Sequence, residues 1–191
     1  VRISAGLLKG RKIRGGKLSS KKNREAGFRP TSSKVREAIF DILRDDIRGA
    51  SFLDLYAGSG TVGFEALSRG AAECCFVEHD PRRFREIMSS VKRMGLEDSV
   101  TLFREEASDF LRRALKSKIT FGIIFADPPY SSGEFDKIFP LLDGGEVLRE
   151  GGLLMIEHPS KKVFMNAAPS LRFVRNYKYG DTMLTLFRKE P

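Results

Sequence analysis

The sequence predicts an α/β protein built on a doubly wound, mostly parallel sheet of seven strands, and three observations predict it. Short apolar runs alternate with amphipathic helical stretches from Ser51 onward. A glycine-rich turn, Gly58-Ser59-Gly60-Thr61-Val62-Gly63, joins the first of those runs to the helix that follows it. A later apolar run ends in Asp127-Pro128-Pro129-Tyr130, where two prolines stop a buried strand and stiffen the corner beyond it. Parallel strands joined by right-handed crossovers need helices on the faces of the sheet, so alternation of this sort implies the doubly wound class.

Gly6, Gly10, Gly15 and Gly16 punctuate segments containing Ile3, Leu7, Leu8, Ile13 and Leu18, a pattern compatible with a small β-hairpin or ordered arm. Thr31, Ser32 and Ser33 offer hydroxyl caps before Val35, Ile39, Ile42 and Leu43, which recur at helical spacing, so a helix is expected from about 32 to 45. Strands are expected over Ser51–Tyr56, Glu73–Glu78, Val100–Phe103, Phe121–Ala126 and Gly152–Glu157, with Arg172–Tyr177 and Thr182–Arg188 as two closing strands. Helices are expected over Thr61–Arg69, Pro81–Met94, Ser108–Lys116 and Phe135–Leu142.

Composition excludes several classes. A chain of 191 residues with 41% apolar residues is a globular protein of one domain with room for an appendage, not a disordered, collagenous or disulfide-built one. Its longest apolar runs, such as Ile123–Ala126 and Gly152–Ile156, fall far short of the roughly 18 residues a membrane span requires. No charged segment followed by an apolar one opens the sequence, so the expected compartment is the cytoplasm. Cys74 and Cys75 are neighbours inside an apolar run and are expected to be buried thiols without chemistry. His79 and His158 are expected to be structural.

The charge is unevenly spread. Residues 1 to 36 hold twelve of the 34 Lys and Arg and a single acid, Glu25, for a net of +11, which leaves about −2 for the rest of a chain whose total is +9. So basic a block attracts a polyphosphate backbone, RNA or DNA. A solvated tail is the plain alternative, and the regular glycines count against it.

The glycine turn lies where a ligand can use it. Glycines at 58 and 60 permit a tight turn and bare backbone, and the helix N-terminus beyond offers unpaired N–H groups and a positive dipole end. Eighteen residues past Gly60, at the end of the next strand, stands Glu78, a carboxylate able to accept from both hydroxyls of a ribose. NAD, FAD and S-adenosylmethionine all contain such a ribose, so the turn and its acid leave the three open. After the third strand, Glu105, Glu106 and Asp109 flank Ala107 and Ser108, where an acid and a backbone N–H could read the edge of adenine; acids on a helix surface would explain them equally.

Asp127-Pro128-Pro129-Tyr130 points to the chemistry. The prolines remove two backbone donors, so the carbonyls there are held rigidly with no local N–H to compete for them. Tyr130 offers a ring on which a planar base can stack while its amino hydrogens bond the Asp127 carboxylate and the Pro128 carbonyl. A nucleobase amine is a poor nucleophile because its lone pair is delocalised into the ring. Two acceptors on its hydrogens favour pyramidal geometry and stabilise the positive charge that develops as nitrogen attacks an electrophilic methyl. That chemistry needs no metal, and both the turn and the corner belong at the crevice where strand order reverses, between the Ser51 and Phe121 strands.

At these residues the sequence resembles the class I S-adenosylmethionine-dependent methyltransferases and, more narrowly, the RsmD-type 16S ribosomal RNA guanine-N(2) methyltransferases. The resemblance runs through Arg2-Ile3 with Gly6, Lys9-Gly10-Arg11-Lys12, Arg29-Pro30-Thr31 with Val35-Arg36-Glu37, the Asp54 to Gly63 loop and Glu65 to Ala71. It continues in Glu78 with Asp80, Asp127-Pro128-Pro129-Tyr130 and Tyr179-Gly180-Asp181-Thr182. It implies a Rossmann-like methyltransferase domain over residues 31–191 behind a basic arm or hairpin over residues 1–30. It further implies cofactor contacts from Asp54, Tyr56, Ala57, Gly58 and Gly60, ribose recognition by Glu78 and adenine contacts near Glu106 and Ala107. Catalysis would rest on Asp127, Pro128, Pro129 and Tyr130, and Arg2, Arg11, Lys12, Arg29, Thr31 and Arg36 would contact RNA, with Arg29, Thr31 and Arg36 close to the active site. The implied partner is ribosomal RNA in an assembled or assembling small subunit, and the implied cofactor is S-adenosyl-L-methionine, with no metal and no membrane.

Three other functions compete. Amino-methylation of adenine or cytosine in DNA uses the same corner, but a DNA enzyme usually carries a target-recognition domain, for which this chain has little room. A noncatalytic RNA-binding factor would not need an intact Asp127. An NAD-dependent reductase would need a hydride-transfer partner such as Tyr-x-x-x-Lys, which the sequence lacks.

Overall fold

The computed structural model describes residues 1–13, 32–129, 133–161 and 169–190, so Arg29, Thr31 and Tyr130 lie outside the described residues. In chain order the elements are α1 (Ser33–Ile42), β1 (Ser51–Asp54), α2 (Thr61–Ser68), β2 (Glu73–Val77), α3 (Pro81–Met94), β3 (Val100–Phe103), α4 (Ala107–Lys116), β4 (Phe121–Ala126), α5 (Glu134–Asp143), β5 (Leu148–Pro159), β6 (Leu171–Tyr179) and β7 (Thr182–Lys189). The strands form one seven-stranded sheet in the order β3-β2-β1-β4-β5-β7-β6. The first five neighbours are parallel, and β7 runs antiparallel to both β5 and β6. This is the mostly parallel, doubly wound sheet that the alternating pattern predicts.

Two apolar layers follow from strand alternation. Phe52, Phe76, Ile123, Phe125 and Met155 point to one face and pack against α1, α2 and α3. Leu53, Val77, Ile124, Leu154 and Ile156 point to the other and pack against α4 and α5. Central strands buried on both faces explain why their sequences are continuous apolar runs and not alternating ones. Cys74 and Cys75 face opposite layers as buried free thiols.

Local signals set the helix ends. The Ser32 hydroxyl accepts from the Val35 amide at 3.2 Å and starts α1, a cap worth about 1 kcal/mol. Asp80 accepts from the amides of Arg82 and Arg83, both at 2.9 Å, Pro81 opens the helix, and Gly95 at φ +67 closes it. The largest departure from the expected boundaries is β5, which begins at Leu148 and not Gly152. Leu148 pairs with Phe121 and, after a register shift, Leu153 pairs with Ile123. Gly151 at φ +71 and the tightly enclosed Gly152 form that irregularity, so glycines that look like a strand start lie inside a longer, kinked strand.

Residues 1–13 form a hairpin-like loop. An antiparallel bridge joins Arg2 to Lys12; beside it the Ile3 amide donates to the Arg11 carbonyl and the Gly10 amide to the Ile3 carbonyl. Ile3 and Ile13 are 2% and 4% exposed within the α1–α3 layer, which contributes roughly 1.5–3 kcal/mol for each side chain. The loop also caps α2: the Leu7 amide donates to the Ser68 carbonyl at 2.8 Å, and the Leu8 amide to the Ser68 hydroxyl at 2.9 Å. Beneath it Glu65, fully buried, accepts from the Ser4 amide at 2.9 Å, the Ser4 hydroxyl at 2.6 Å, the Ala5 amide at 3.1 Å and Arg69 Nε at 3.0 Å. Burial alone would raise its pKa; the Ser4 donors and Arg69 overcome that and hold it below the usual glutamate range. Gly6, at φ +79, lies so close to α2 that a Cβ there would fall 1.8 Å from the Ser68 carbonyl oxygen.

Candidate functional site

Strand order reverses between β1 and β4: the chain winds outward from β1 through β2 to β3, then returns to β4 on the other side of β1. In sheets of this kind the crevice forms at such a point, beyond the carboxyl ends of the strands. The glycine turn occupies its β1 side. Gly58 and Gly60 have φ of +55° and +74°, so both need the left-handed region that glycine enters freely. The third glycine of the pattern, Gly63, serves packing instead, because a Cβ there would meet Phe76 Cε1 at 2.3 Å and Cys74 Sγ at 2.7 Å. Asp54, 2% exposed at the end of β1, accepts from the Gly63 amide at 2.9 Å and ties strand, turn and helix together.

Glu78 follows β2 and reaches back to the same turn. Its Oε2 accepts from the Gly58 amide at 2.7 Å and its Oε1 from the Asp80 amide at 2.8 Å. One donor on each oxygen leaves acceptor capacity on both, which fits a pair of ribose hydroxyls. The residues present therefore suit an adenosine-containing cofactor. Burial raises the Glu78 pKa, and the amides of Asp80 and Gly58 with Arg83 nearby oppose the rise. The Ala57 amide donates to the Val77 carbonyl at 3.0 Å, which holds the turn against β2. Glu106 is the residue before α4, exposed, and Ala107 behind it is 3% exposed. The charge of Glu106 reaches the Tyr56 hydroxyl, which also donates to Glu134 Oε2 at 3.4 Å. Tyr56, Glu106 and Glu134 thus stand together at the β1, β3 and α5 sides of the crevice.

Asp127 follows β4 directly, with Pro128 buried and Pro129 exposed. Burial, then the carboxylates of Glu157 and Asp54, push its pKa well above the usual aspartate range. Asp54 itself is pushed up to about 7, chiefly by burial. Glu157 is the residue that the sequence pattern did not single out. Parallel pairing of Ala126 with Ile156 sets Asp127 beside Glu157 one step further on. Phe125 and Met155, two residues earlier on each strand, face the α1–α3 layer, so alternation sends both acids to that side. The signal was present: Glu157 follows the apolar run of β5 as Glu78 and Asp127 follow theirs. Among the described residues no group of three His, Cys, Asp or Glu is arranged to hold a metal.

The basic residues divide. Arg2, Arg11 and Lys12 are exposed on the hairpin. Arg36 is not presented to solvent: it is 4% exposed, its Nη2 donates to the Arg2 carbonyl at 3.4 Å and its Nε lies 3.6 Å from Glu65. The side chain expected at an RNA surface is folded under the hairpin, because the Glu65 carboxylate below it is the nearest strong acceptor. Arg29 and Thr31 lie outside the described residues.

Comparison with known proteins matches this architecture along nearly the whole chain. The family model described as "Conserved hypothetical protein 95" matches residues 1–188. The "Putative rRNA methyltransferase YlbH" of Bacillus subtilis is 32% identical over 189 residues, covering 99% of each chain. The "Ribosomal RNA small subunit methyltransferase D" of Escherichia coli is 27% identical over 190 residues, covering 100% of this chain and 90% of its own. A solved structure, "Putative methyltransferase yhhF from Escherichia coli", superposes with a TM-score of 0.86 at 27% identity, over 100% of this chain and 98% of its own. With its glycine turn, its Glu78 and its Asp-Pro-Pro corner gathered at the switch point of such a sheet, this chain belongs to the conserved hypothetical protein 95 family, the RsmD-like methyltransferases.

Proposed function

We propose that this protein transfers a methyl group to the exocyclic N2 amine of a guanine in 16S ribosomal RNA of the small subunit, in the cytoplasm. The observation that carries this reading is the placement of the Asp127-Pro128-Pro129 corner beside the glycine turn, across the β1–β4 switch point. The names of the Bacillus and Escherichia coli relatives support ribosomal RNA as the substrate class. The cofactor is S-adenosyl-L-methionine, which when bound supplies a methyl group on a sulfonium leaving group.

In this reading Asp54, Tyr56, Ala57, Gly58 and Gly60 form the cofactor cradle, Glu78 takes the ribose, and Glu106 with Ala107 takes the adenine side. Asp127 and the Pro128 carbonyl accept the two hydrogens of the target amine, and Tyr130 stacks on the base. Positive charge that would develop on the nitrogen as it accepts the methyl group would be stabilised by the Asp127 carboxylate. Asp127 then takes the proton that the methylated nitrogen sheds and passes it to water. The basic arm over residues 1–30, with Arg2, Arg11, Lys12 and Arg29, holds the RNA beside the domain of residues 31–191, with Thr31 near the site. Arg36 acts within the protein, as a latch between hairpin and α2.

Two measurements test this. Incubation with radiolabelled cofactor and either small ribosomal subunits, protein-free ribosomal RNA or DNA is expected to label N2-methylguanosine in RNA; label in DNA alone would end the proposal. Glu78→Ala removes two charged hydrogen bonds to ribose, each worth about 1.5–3 kcal/mol. Calorimetric titration with S-adenosylhomocysteine is expected to show affinity lower by about a hundredfold or more; an unchanged affinity would take Glu78 out of the cofactor site.

A further inference from the structure

The basic character of the first 36 residues is visible in the sequence, but the fold joins it to a second source of charge. Helix α3 carries Arg82, Arg83, Arg85, Lys92 and Arg93 against one acid, Glu86. Arg82, Arg85, Lys92 and Arg93 are exposed, and their spacings of three, seven and one residue place them within one face of the helix. Met88, 40% exposed, lies alongside.

This face is continuous with the hairpin. Arg93 Nη2 donates to the Lys12 carbonyl at 2.7 Å, and Arg11 Nη1 donates to the Met94 carbonyl at 3.3 Å, so the hairpin is pinned to the last turn of α3. At the opposite end, Asp80 caps the helix two residues after Glu78, and Arg83 lies near enough to lower the Glu78 pKa. The helix therefore runs for about 20 Å from the crevice to the hairpin, with cations along its outer side. The other side of the sheet differs. On α4, Arg112 pairs with Asp109 at 2.9 Å and Arg113 with Glu105; on α5, Lys137 pairs with Glu134 at 2.6 Å. These three cations are answered by acids, unlike Arg85 and Lys92 on the outer face of α3.

We infer that the outer face of α3 is a phosphate-binding track for the substrate RNA, continuous with Lys9, Arg11 and Lys12 of the hairpin, which leads the strand toward the crevice. This rests on the ribosomal RNA reading above. Charge complementarity selects the occupant: a row of arginine and lysine on a rigid helix, spaced over several nucleotides, matches a polyphosphate chain. Arg85 and Lys92 are the residues to test, because Arg82 also pairs with Glu86, Arg83 neighbours Glu78 and Arg93 holds the hairpin.

The experiment is filter binding of protein-free 16S ribosomal RNA by the full chain and by Arg85→Ala/Lys92→Ala, across about 0.05 to 0.3 M KCl. Two lost single-strand phosphate contacts should flatten the slope of log affinity against log salt by about 1.4 and weaken binding roughly tenfold to thirtyfold near 0.1 M. S-adenosylhomocysteine affinity and melting temperature should stay unchanged, which separates this from a folding defect. An unaltered slope and affinity in the variant, with normal binding by the parent protein, would overturn the track alone. No salt-dependent RNA binding by the parent protein, with no label in RNA, would overturn the ribosomal RNA reading itself.

Discussion

Asp127→Ala is expected to lower methyl transfer by about a thousandfold or more while S-adenosylhomocysteine affinity stays within a few-fold. The asymmetry follows from placement. Glu78 and the glycine turn lie on the β1–β2 side of the switch point, whereas Asp127 ends β4 on the other side. On the proposed reading its carboxylate meets the target amine and does its largest work once charge develops on nitrogen, so removal should affect the transition state more than the bound cofactor. Steady-state turnover and calorimetry on the same preparation decide it; comparable loss of both would assign Asp127 to cofactor binding. Asp127→Asn adds a readout independent of activity. A carboxyl whose folded pKa is raised stabilises the protein below its unfolded pKa near 4, and that stability is lost as pH rises through the folded value. Asp54, at about 7, and Asp127 both act in this direction. The melting temperature of the parent should therefore fall between about pH 4 and 8, and the fall should be shallower in Asp127→Asn. An equal slope would mean that Asp127 does not carry the shift.

Glu65→Ala is expected to destabilise the fold by about 3–5 kcal/mol, the cost of removing one partner from a buried ion pair. For a chain of this size that is a fall in melting temperature of about 10 °C. The side chain takes donors from Ser4, Ala5 and Arg69, and Arg36 Nε, buried and with no hydrogen-bond partner among the described residues, depends on its charge at 3.6 Å. Without the carboxylate, the Arg36 guanidinium remains buried beside unpaired amides. Ser4→Ala, which deletes a single hydroxyl donor, should cost about 1 kcal/mol. Urea unfolding of both variants measures the difference. Equal, small losses would show that the hairpin is held by Ile3 and Ile13 alone.

Much of the site was legible before the fold, for local reasons. A tight strand-to-helix turn demands glycine, so Gly58, Gly60 and Gly63 announce it; an acid that follows an apolar strand announces the crevice, as at Glu78 and Asp127. Element ends were read closely where caps are local, as at Ser32, Asp80 and Gly95. They were read less well at β5, where Gly151 and Gly152 look like a boundary and are a kink. Glu65 stood in a segment that carried the family resemblance, yet beyond Arg69 nothing in that segment says what it binds, since Ser4 and Ala5 are some sixty residues away.

What the sequence by itself determined was the succession of strands and helices, the glycine turn, and the identity of the corner after Phe121–Ala126. These depend on periodicity, on φ limits and on donors missing at proline, all of which act within a few residues. Only the tertiary structure decided that Glu157 stands beside Asp127, that Arg36 turns inward to Glu65, and that α3 continues the charge of the hairpin. Such contacts follow from strand order and register. A one-residue slip would send Glu157 to the opposite face of the sheet, and no local pattern records which slip the packed layers reject.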